Sequence, residues 1–134
     1  MNTVYLLCGV SGRGKSWVCK QLTDRFCYVP HDDHYHDIVN VCKSMRTERP
    51  ILTECPFAER LLKAEFEQAR FLVKPIFLIE SPEVCQRRYM ERECKPLPQS
   101  AVTRATTIID RAIEWNSPYG NAEQVLSMLK NLKL

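Results

Sequence analysis

The stretch LLCGVSGRGKSWVCKQL, residues 6–22, decides how the rest of the chain is interpreted. Within it, residues 9–16 fit the pattern G-x-x-x-x-G-K-[ST], in which glycines let successive backbone N–H groups face one anion. The pattern predicts a phosphate-binding loop in which Lys15 reaches the β- and γ-phosphates of a nucleotide and Ser16 ligates Mg²⁺. The alternative is a glycine-rich turn with an exposed lysine. The residues predicted to contact the nucleotide are Gly9, Ser11, Gly12, Arg13, Gly14, Lys15, Ser16 and Trp17.

The surroundings of this loop predict the fold. A β-rich apolar run precedes it at residues 3–8, and a helical pattern follows it at residues 14–25, which is the arrangement that this loop requires. Further strand patterns occupy residues 26–29, 50–54 and 75–79, and they alternate with helical patterns at 33–43, 57–71, 83–92 and 99–112. Residues 112–115 fit a helix or a fifth strand, residues 116–120 fit a turn, and residues 122–132 fit a final helix. The alternation predicts an α/β fold, a three-layer α/β/α sandwich around a parallel sheet of four or five strands.

Length and composition predict a single domain over residues 1–134. The chain is 45% hydrophobic and 26% charged, and its net charge of +3 tolerates anionic substrates without indicating nucleic-acid binding. No apolar run is long enough for a membrane span, and no basic segment precedes the first strand as in a signal peptide. The seven cysteines form no C-x-x-C pair and lie mostly in apolar runs, which favours reduced thiols in a cytoplasmic protein.

The segment HDDHYHD, residues 31–37, follows the second strand pattern. In a parallel sheet, this strand end lies at the same edge as the phosphate-binding loop, where ligands bind. Asp32 is therefore the candidate general base for an attacking hydroxyl, while Asp33 is a candidate helix cap. Two alternatives stay open: an acidic helix start without a catalytic role, and a transition-metal cluster built from the histidines and aspartates of this segment.

Two further groups of charged residues complete the candidate site. Glu54 ends the third strand pattern, where an acid typically orients Mg²⁺ opposite the loop serine; the alternative is a solvent-facing strand end. Arg88 and Arg92 are four residues apart and share a helix face, so they can close over the γ-phosphate as part of a lid at approximately residues 87–98. The alternative is a solvated basic face.

This arrangement resembles the P-loop kinase superfamily, and most of all the phage-type polynucleotide 5′-hydroxyl kinases and their small nucleoside and nucleotide kinase relatives. The resemblance covers about residues 4–110 and includes PHDDHY, residues 30–35, where those kinases have a segment like NRDDYR. It implies that Asp32 is the general base and that Arg88 and Arg92 are the lid arginines. The sequence departs from the kinases at Glu54, which stands for their Asp, and at Tyr35, which stands for an Arg that holds a substrate phosphate.

The resemblance implies an enzyme that uses ATP and Mg²⁺ to phosphorylate a hydroxyl of a nucleic acid, nucleotide or nucleoside. Two alternatives share the same residues. One is a kinase of a small acceptor such as a sugar, a nucleotide-sugar or an antibiotic. The other is a nucleotide-binding regulatory module without catalysis. The small size also fits a phage enzyme acting in the host cytoplasm.

Overall fold

A computed structural model describes residues 2–9, 14–31, 37–55 and 59–134. The strands are β1 (Thr3–Gly9), β2 (Cys27–Val29), β3 (Ile51–Cys55), β4 (Leu72–Leu78) and β5 (Tyr119–Gly120). The helices are α1 (Lys15–Lys20), α2 (Ile38–Ser44), α3 (Glu59–Gln68), α4 (Pro82–Glu93), α5 (Gln99–Glu114) and α6 (Ala122–Lys130). The alternation of strands and helices predicted from the sequence is confirmed.

The strands form one sheet in the order β2-β3-β1-β4-β5, and every neighbouring pair is parallel. The strand that leads into the predicted phosphate-binding loop, β1, is therefore central and pairs with β3 on one side and β4 on the other. Because all strands are parallel, their carboxyl ends meet at one edge of the sheet. This edge carries Gly9 at the end of β1 and Glu54 near the end of β3.

Two cores cover the two faces of the sheet. Side chains of β1 alternate between them, as the period of a strand requires: Val4 and Leu6 enter the first core, Tyr5 and Leu7 the second. The first core includes apolar residues of α2, α3 and α5, and the second those of α1 and α6. The predicted three-layer α/β/α sandwich is confirmed.

The fifth strand lies in the segment that the sequence predicts as a turn. Residues 112–114 continue α5 and Trp115 caps its end, so the helical alternative for residues 112–115 is the right one. The strand is Tyr119–Gly120, and its neighbourhood bonds to β4 through the backbone: Phe77 N–H donates to the Pro118 carbonyl and Ile79 N–H to that of Gly120. A strand of two residues is too short to show the alternation of apolar and polar side chains from which a strand is predicted.

Several helices are shorter than predicted. The first is α-helical only to Lys20, and turns with i→i+3 hydrogen bonds carry the chain to Arg25. The second begins at Ile38, with Asp37 as its N-cap, and the predicted helical residues 33–36 lie outside the described residues. The third ends at Gln68, since Arg70 has a φ of 68° and interrupts the helix, so Phe71 packs edge-on against Phe66 from outside it. The predicted strand at residues 75–79 begins earlier, at Leu72.

All seven cysteines lie among the described residues and none forms a disulfide; of the seven, only Cys94 is exposed. Four of them, Cys8, Cys19, Cys42 and Cys55, have no exposed surface and pack within the two cores as small apolar side chains. Within the described part of the chain, no helix combines the length and the apolar character that crossing a bilayer requires.

Candidate functional site

Two glycines flank the predicted phosphate-binding loop, Gly9 at the end of β1 and Gly14 immediately before α1. Gly14 has a φ of 134°, a backbone conformation that side chains with a Cβ rarely adopt. A Cβ added there would also lie 3.0 Å from Leu78 Cδ2, and one added at Gly9 would lie 3.0 Å from the Leu78 carbonyl oxygen. The predicted contact residues Ser11, Gly12 and Arg13, which lie between these glycines, are outside the described residues.

Lys15, the first residue of α1, is folded back over the end of β1. It is 5% exposed, and its Nζ donates a hydrogen bond to the Gly9 carbonyl oxygen at 3.1 Å. Burial lowers the pKa of this lysine, and the negative charge of Glu54 opposes the shift. The ammonium group therefore lies against the carboxyl end of β1 with little water around it.

Glu54 accepts hydrogen bonds from two hydroxyl groups on the same oxygen. Ser16 Oγ, in the first turn of α1, donates to Glu54 Oε1 at 2.8 Å, and Tyr28 Oη, in β2, donates to the same atom at 2.5 Å. Glu54 is 5% exposed. Burial raises the pKa of Tyr28, and its hydrogen bond to the Glu54 carboxylate raises it further. The structure thus brings the two predicted metal ligands, Ser16 and Glu54, into direct contact.

Ser16 and Glu54 fit a magnesium ion. Mg²⁺ prefers hard oxygen ligands and keeps several waters, so a hydroxyl and a carboxylate beside a triphosphate are an adequate protein contribution. Because the Ser16 proton goes to Glu54, the lone pairs of its oxygen stay available to a cation. Among the described residues, no group of three or more histidine, cysteine or acidic side chains is arranged to hold a metal. His34 and Asp33, part of the alternative transition-metal cluster, lie outside those residues.

A cavity of about 670 Å³ opens beside the start of α1. It falls within the usual volume of small-molecule sites. Its walls come from the loop end, α4 and the start of α6, and the lining residues are Gly14, Ser16, Trp17, Glu80, Val84, Arg87, Arg88, Asn121, Ala122 and Glu123. Asn121 is held there by a capping box with Gln124. Trp17 is 48% exposed towards this side of the molecule, so its ring is accessible to a ligand.

The two predicted lid arginines have different surroundings. Arg88 lines the cavity and forms an ion pair with Glu80 at 3.5 Å. Arg92, one turn later in α4, pairs with Glu93 at 3.0 Å and lies over the Tyr89 ring, 5.5 Å from its centroid. Arg92 does not line the cavity. Arg87, the residue before Arg88, does line it. Residues 87–93 of the predicted lid belong to α4, and the chain then passes into α5 at Gln99.

A buried ion pair braces the opposite face of the sheet near the same edge. Glu59, in the first turn of α3, is 3% exposed, and Arg104 of α5 donates to both of its oxygens at 2.8 and 3.2 Å. Burial pushes the pKa of Glu59 upward, but the hydrogen bonds from Arg104 and from the backbone, together with the charges of Arg104 and Arg60, outweigh this and hold the pKa below its ordinary value. The pair fixes α5, which follows the lid segment, to α3.

The structure therefore assembles Gly9, Gly14, Lys15, Ser16, Trp17, Glu54 and Arg88 around one edge of the sheet. The candidate base Asp32 lies outside the described residues; its neighbour His31 is buried after β2. Sequence reasoning missed Tyr28 and Arg87. The doubled arginine in CQRRYM was a signal for Arg87. The contact of Tyr28 with Glu54 depends on the register between two strands, and no local sequence pattern indicates it.

No family model matches the chain, and no curated protein matches it either. Solved structures do resemble it. A gluconokinase from Sinorhizobium meliloti 1021 shares 19% identity over 95% of this chain and 86% of its own, with a TM-score of 0.61. The Deinococcus radiodurans tunicamycin resistance protein shares 14% over 100% and 98%, with a TM-score of 0.61. Chaetomium thermophilum Kti12, solved in complex with ADP-AlF3, shares 13% over 96% and 97%, with a TM-score of 0.53. At these identities the likeness concerns the fold, which is of the P-loop kinase type.

Proposed function

We propose that the chain is an ATP-dependent kinase that transfers the γ-phosphate of ATP to a hydroxyl of a nucleic acid, nucleotide or nucleoside. The observation that carries the proposal is the contact between Ser16 and Glu54 beside the buried ammonium of Lys15, at the carboxyl edge of the sheet. One cation and two oxygens of the kind that bind cations stand next to Gly9 and Gly14, the two glycines that flank the predicted phosphate-binding loop and approach Leu78 closely.

On this proposal, the donor side works by charge and position. Lys15 would exchange its hydrogen bond to the Gly9 carbonyl for the β- and γ-phosphate oxygens, and the sequence pattern predicts that the backbone N–H groups of Ser11, Gly12 and Arg13 bind the same phosphates. Ser16 and Glu54 would hold Mg²⁺, which when bound neutralises charge on the phosphates. The cavity beside Trp17 would receive the nucleoside part of ATP.

The proposed acceptor side starts at Asp32, which follows β2 and would accept the proton of the attacking hydroxyl. Arg88 and Arg92 would close over the transferring group and stabilise its charge. Arg88 already lines the cavity, while Arg92 would have to leave Glu93. Breaking this ion pair costs little, because the side chains of Arg92 and Glu93 are both more than two-fifths exposed.

The cysteines of the chain, none of which forms a disulfide, support the proposed cytoplasmic setting, where ATP is available.

The test is transfer of label from γ-labelled ATP to a panel of acceptors: DNA and RNA 5′ ends, nucleosides, nucleoside monophosphates, sugars and nucleotide-sugars. We expect Lys15→Ala and Asp32→Asn each to abolish transfer. Lys20→Ala is the matched control, since it removes an exposed lysine from the same helix and should leave transfer unchanged. Wild-type turnover by Asp32→Asn would refute the assignment of the base, and binding of ATP without any transfer or hydrolysis would favour a regulatory module.

A second candidate is a kinase of a small acceptor that is not a nucleotide. The observation that favours it is the likeness to a gluconokinase and to a tunicamycin resistance protein, which cover nearly the whole chain. This candidate uses the same donor residues and differs only in the acceptor. Label found on sugars or nucleotide-sugars but on no nucleic acid, nucleotide or nucleoside would replace the first candidate with the second.

A further inference from the structure

Tyr28 lies in β2, on the strand next to the one that carries Glu54. In the parallel register of these strands, Tyr28 stands opposite Leu52. Side chains two residues apart in a strand share a face, so Glu54 projects from the same face as Leu52, one step further towards the carboxyl edge. The phenol of Tyr28 reaches across this step, and its hydroxyl donates to Glu54 Oε1 at 2.5 Å.

The hydrogen bonds that Ser16 and Tyr28 donate to Glu54 hold its carboxylate in one orientation. Both Ser16 and Tyr28 donate to Oε1, and among the described residues no hydrogen bond is made to Oε2. A glutamate has one more rotatable bond than an aspartate, so a carboxylate placed on it loses more rotamer freedom when a cation binds. Two donors from two different elements, α1 and β2, remove that freedom in advance and leave the second oxygen for another ligand.

We propose that Tyr28 is a positioning residue that holds the Glu54 carboxylate in place for the magnesium ion of bound ATP; this inference rests on the proposed function. Tyr28 touches neither nucleotide nor metal on this proposal and acts only through Glu54. Hydrogen bonds that orient a metal-binding carboxylate typically change metal affinity 10- to 100-fold when removed. The ring of Tyr28 also packs at the edge of the second core, so only its hydroxyl is assigned the positioning role.

The test is Tyr28→Phe, which keeps the ring and removes the hydroxyl. The readout is the binding of Mn²⁺, as a spectroscopic substitute for Mg²⁺, to the complex of the protein with a non-hydrolysable ATP analogue, followed by electron paramagnetic resonance. We expect Mn²⁺ to bind about 10-fold more weakly to the variant complex. The affinity for the analogue in EDTA should be unchanged, because the hydroxyl acts only on the metal ligand.

Two further variants separate positioning from a general structural effect. Tyr5→Phe is the matched control: it removes a phenol hydroxyl from the same face of the sheet, far from the carboxyl edge, and should leave Mn²⁺ binding unchanged. In a Glu54→Gln background, Tyr28→Phe should have no additional effect, since the group that it positions is no longer a carboxylate. Urea unfolding of each variant shows whether the fold is retained.

The outcomes distinguish this inference from the proposed function. If the wild-type chain transfers phosphate and Tyr28→Phe binds Mn²⁺ within twofold of wild type, Tyr28 has no positioning role and the kinase proposal stands. An additive effect of Tyr28→Phe in the Glu54→Gln background would also overturn the role. If wild type bound the analogue no better with Mn²⁺ than with EDTA, the proposed function would fail together with the inference.

Discussion

Replacing Arg104 with methionine should lower the free energy of unfolding by about 3–5 kcal/mol, the usual cost of leaving one partner of a buried ion pair alone. The substitution leaves the carboxylate of Glu59, which is 3% exposed, without the two hydrogen bonds that Arg104 donates to it. Methionine retains an unbranched apolar chain in place of the aliphatic part of arginine, so most of the loss comes from the charge and its hydrogen bonds.

A double-mutant cycle measures the coupling free energy between Arg104 and Glu59 directly. Glu59→Leu should cost less than Arg104→Met, about 1–3 kcal/mol, because the side chain of Arg104 is 24% exposed and can be hydrated. The double variant removes both charges and should be more stable than Arg104→Met alone. The coupling between the two sites should therefore reach about 2 kcal/mol, within the range measured for residues in direct contact.

Urea unfolding followed by circular dichroism and tryptophan fluorescence is the assay. Arg60→Met is the control, because Arg60 and Glu114 also join α3 to α5 but their side chains are 62% and 52% exposed. Such an exposed pair is worth less than about 1 kcal/mol. If Arg104→Met cost no more than Arg60→Met, the account of the buried pair would be refuted.

The pH dependence supplies a second check on the same pair. Since the pKa of Glu59 is lowered in the folded protein, its contribution to stability is present above the ordinary glutamate pKa and is lost as the pH falls through the folded value. In Arg104→Met, the stranded carboxylate is instead favoured in its protonated form. The difference in stability between wild type and variant should therefore shrink as the pH is lowered from about 6 to about 3.

Two other substitutions test the loop and the cavity wall. Gly14→Ala should weaken ATP binding at least about 10-fold by calorimetry, because alanine is strained at a φ of 134° and its Cβ would meet Leu78; wild-type affinity would contradict the loop geometry. Asn121→Ala should lower the unfolding free energy by about 1 kcal/mol, because it removes the cap of α6, whereas Asn121→Ser should retain most of it. Equal losses for the alanine and serine variants would show that capping is not the cause.

The sequence predicts those parts of the candidate site whose residues are close together in the chain or lie at a strand end. Gly14, Lys15 and Ser16 are neighbours in the chain, and a strand before them and a helix after them fix their surroundings. Glu54 could be placed because a parallel sheet brings strand ends to one edge. These inferences need only periodicity and the rule for strand ends.

The parts that need the relative position of distant segments could not be predicted. The contact between Tyr28 and Glu54 depends on which residues of β2 and β3 stand opposite each other, and alternating apolar residues allow more than one register. Similarly, Arg88 and Arg92 share a helix face, yet only Arg88 lines the cavity, since Glu93 and Tyr89 hold Arg92 elsewhere. Side-chain partners of this kind are decided by three-dimensional packing.

The central place of β1 has a consequence for how the chain folds. Its partners in the sheet are residues 51–55 and 72–78, so it pairs with nothing close to it in sequence. Such long-range pairing makes folding slow, because the intervening chain must be ordered first. During synthesis, Val4, Leu6 and Leu7, which are fully buried in the end, stay exposed until β4 has emerged. Of the five described strands, β1 is thus made first, and it stays open to aggregation or chaperone binding until both of its partners have emerged.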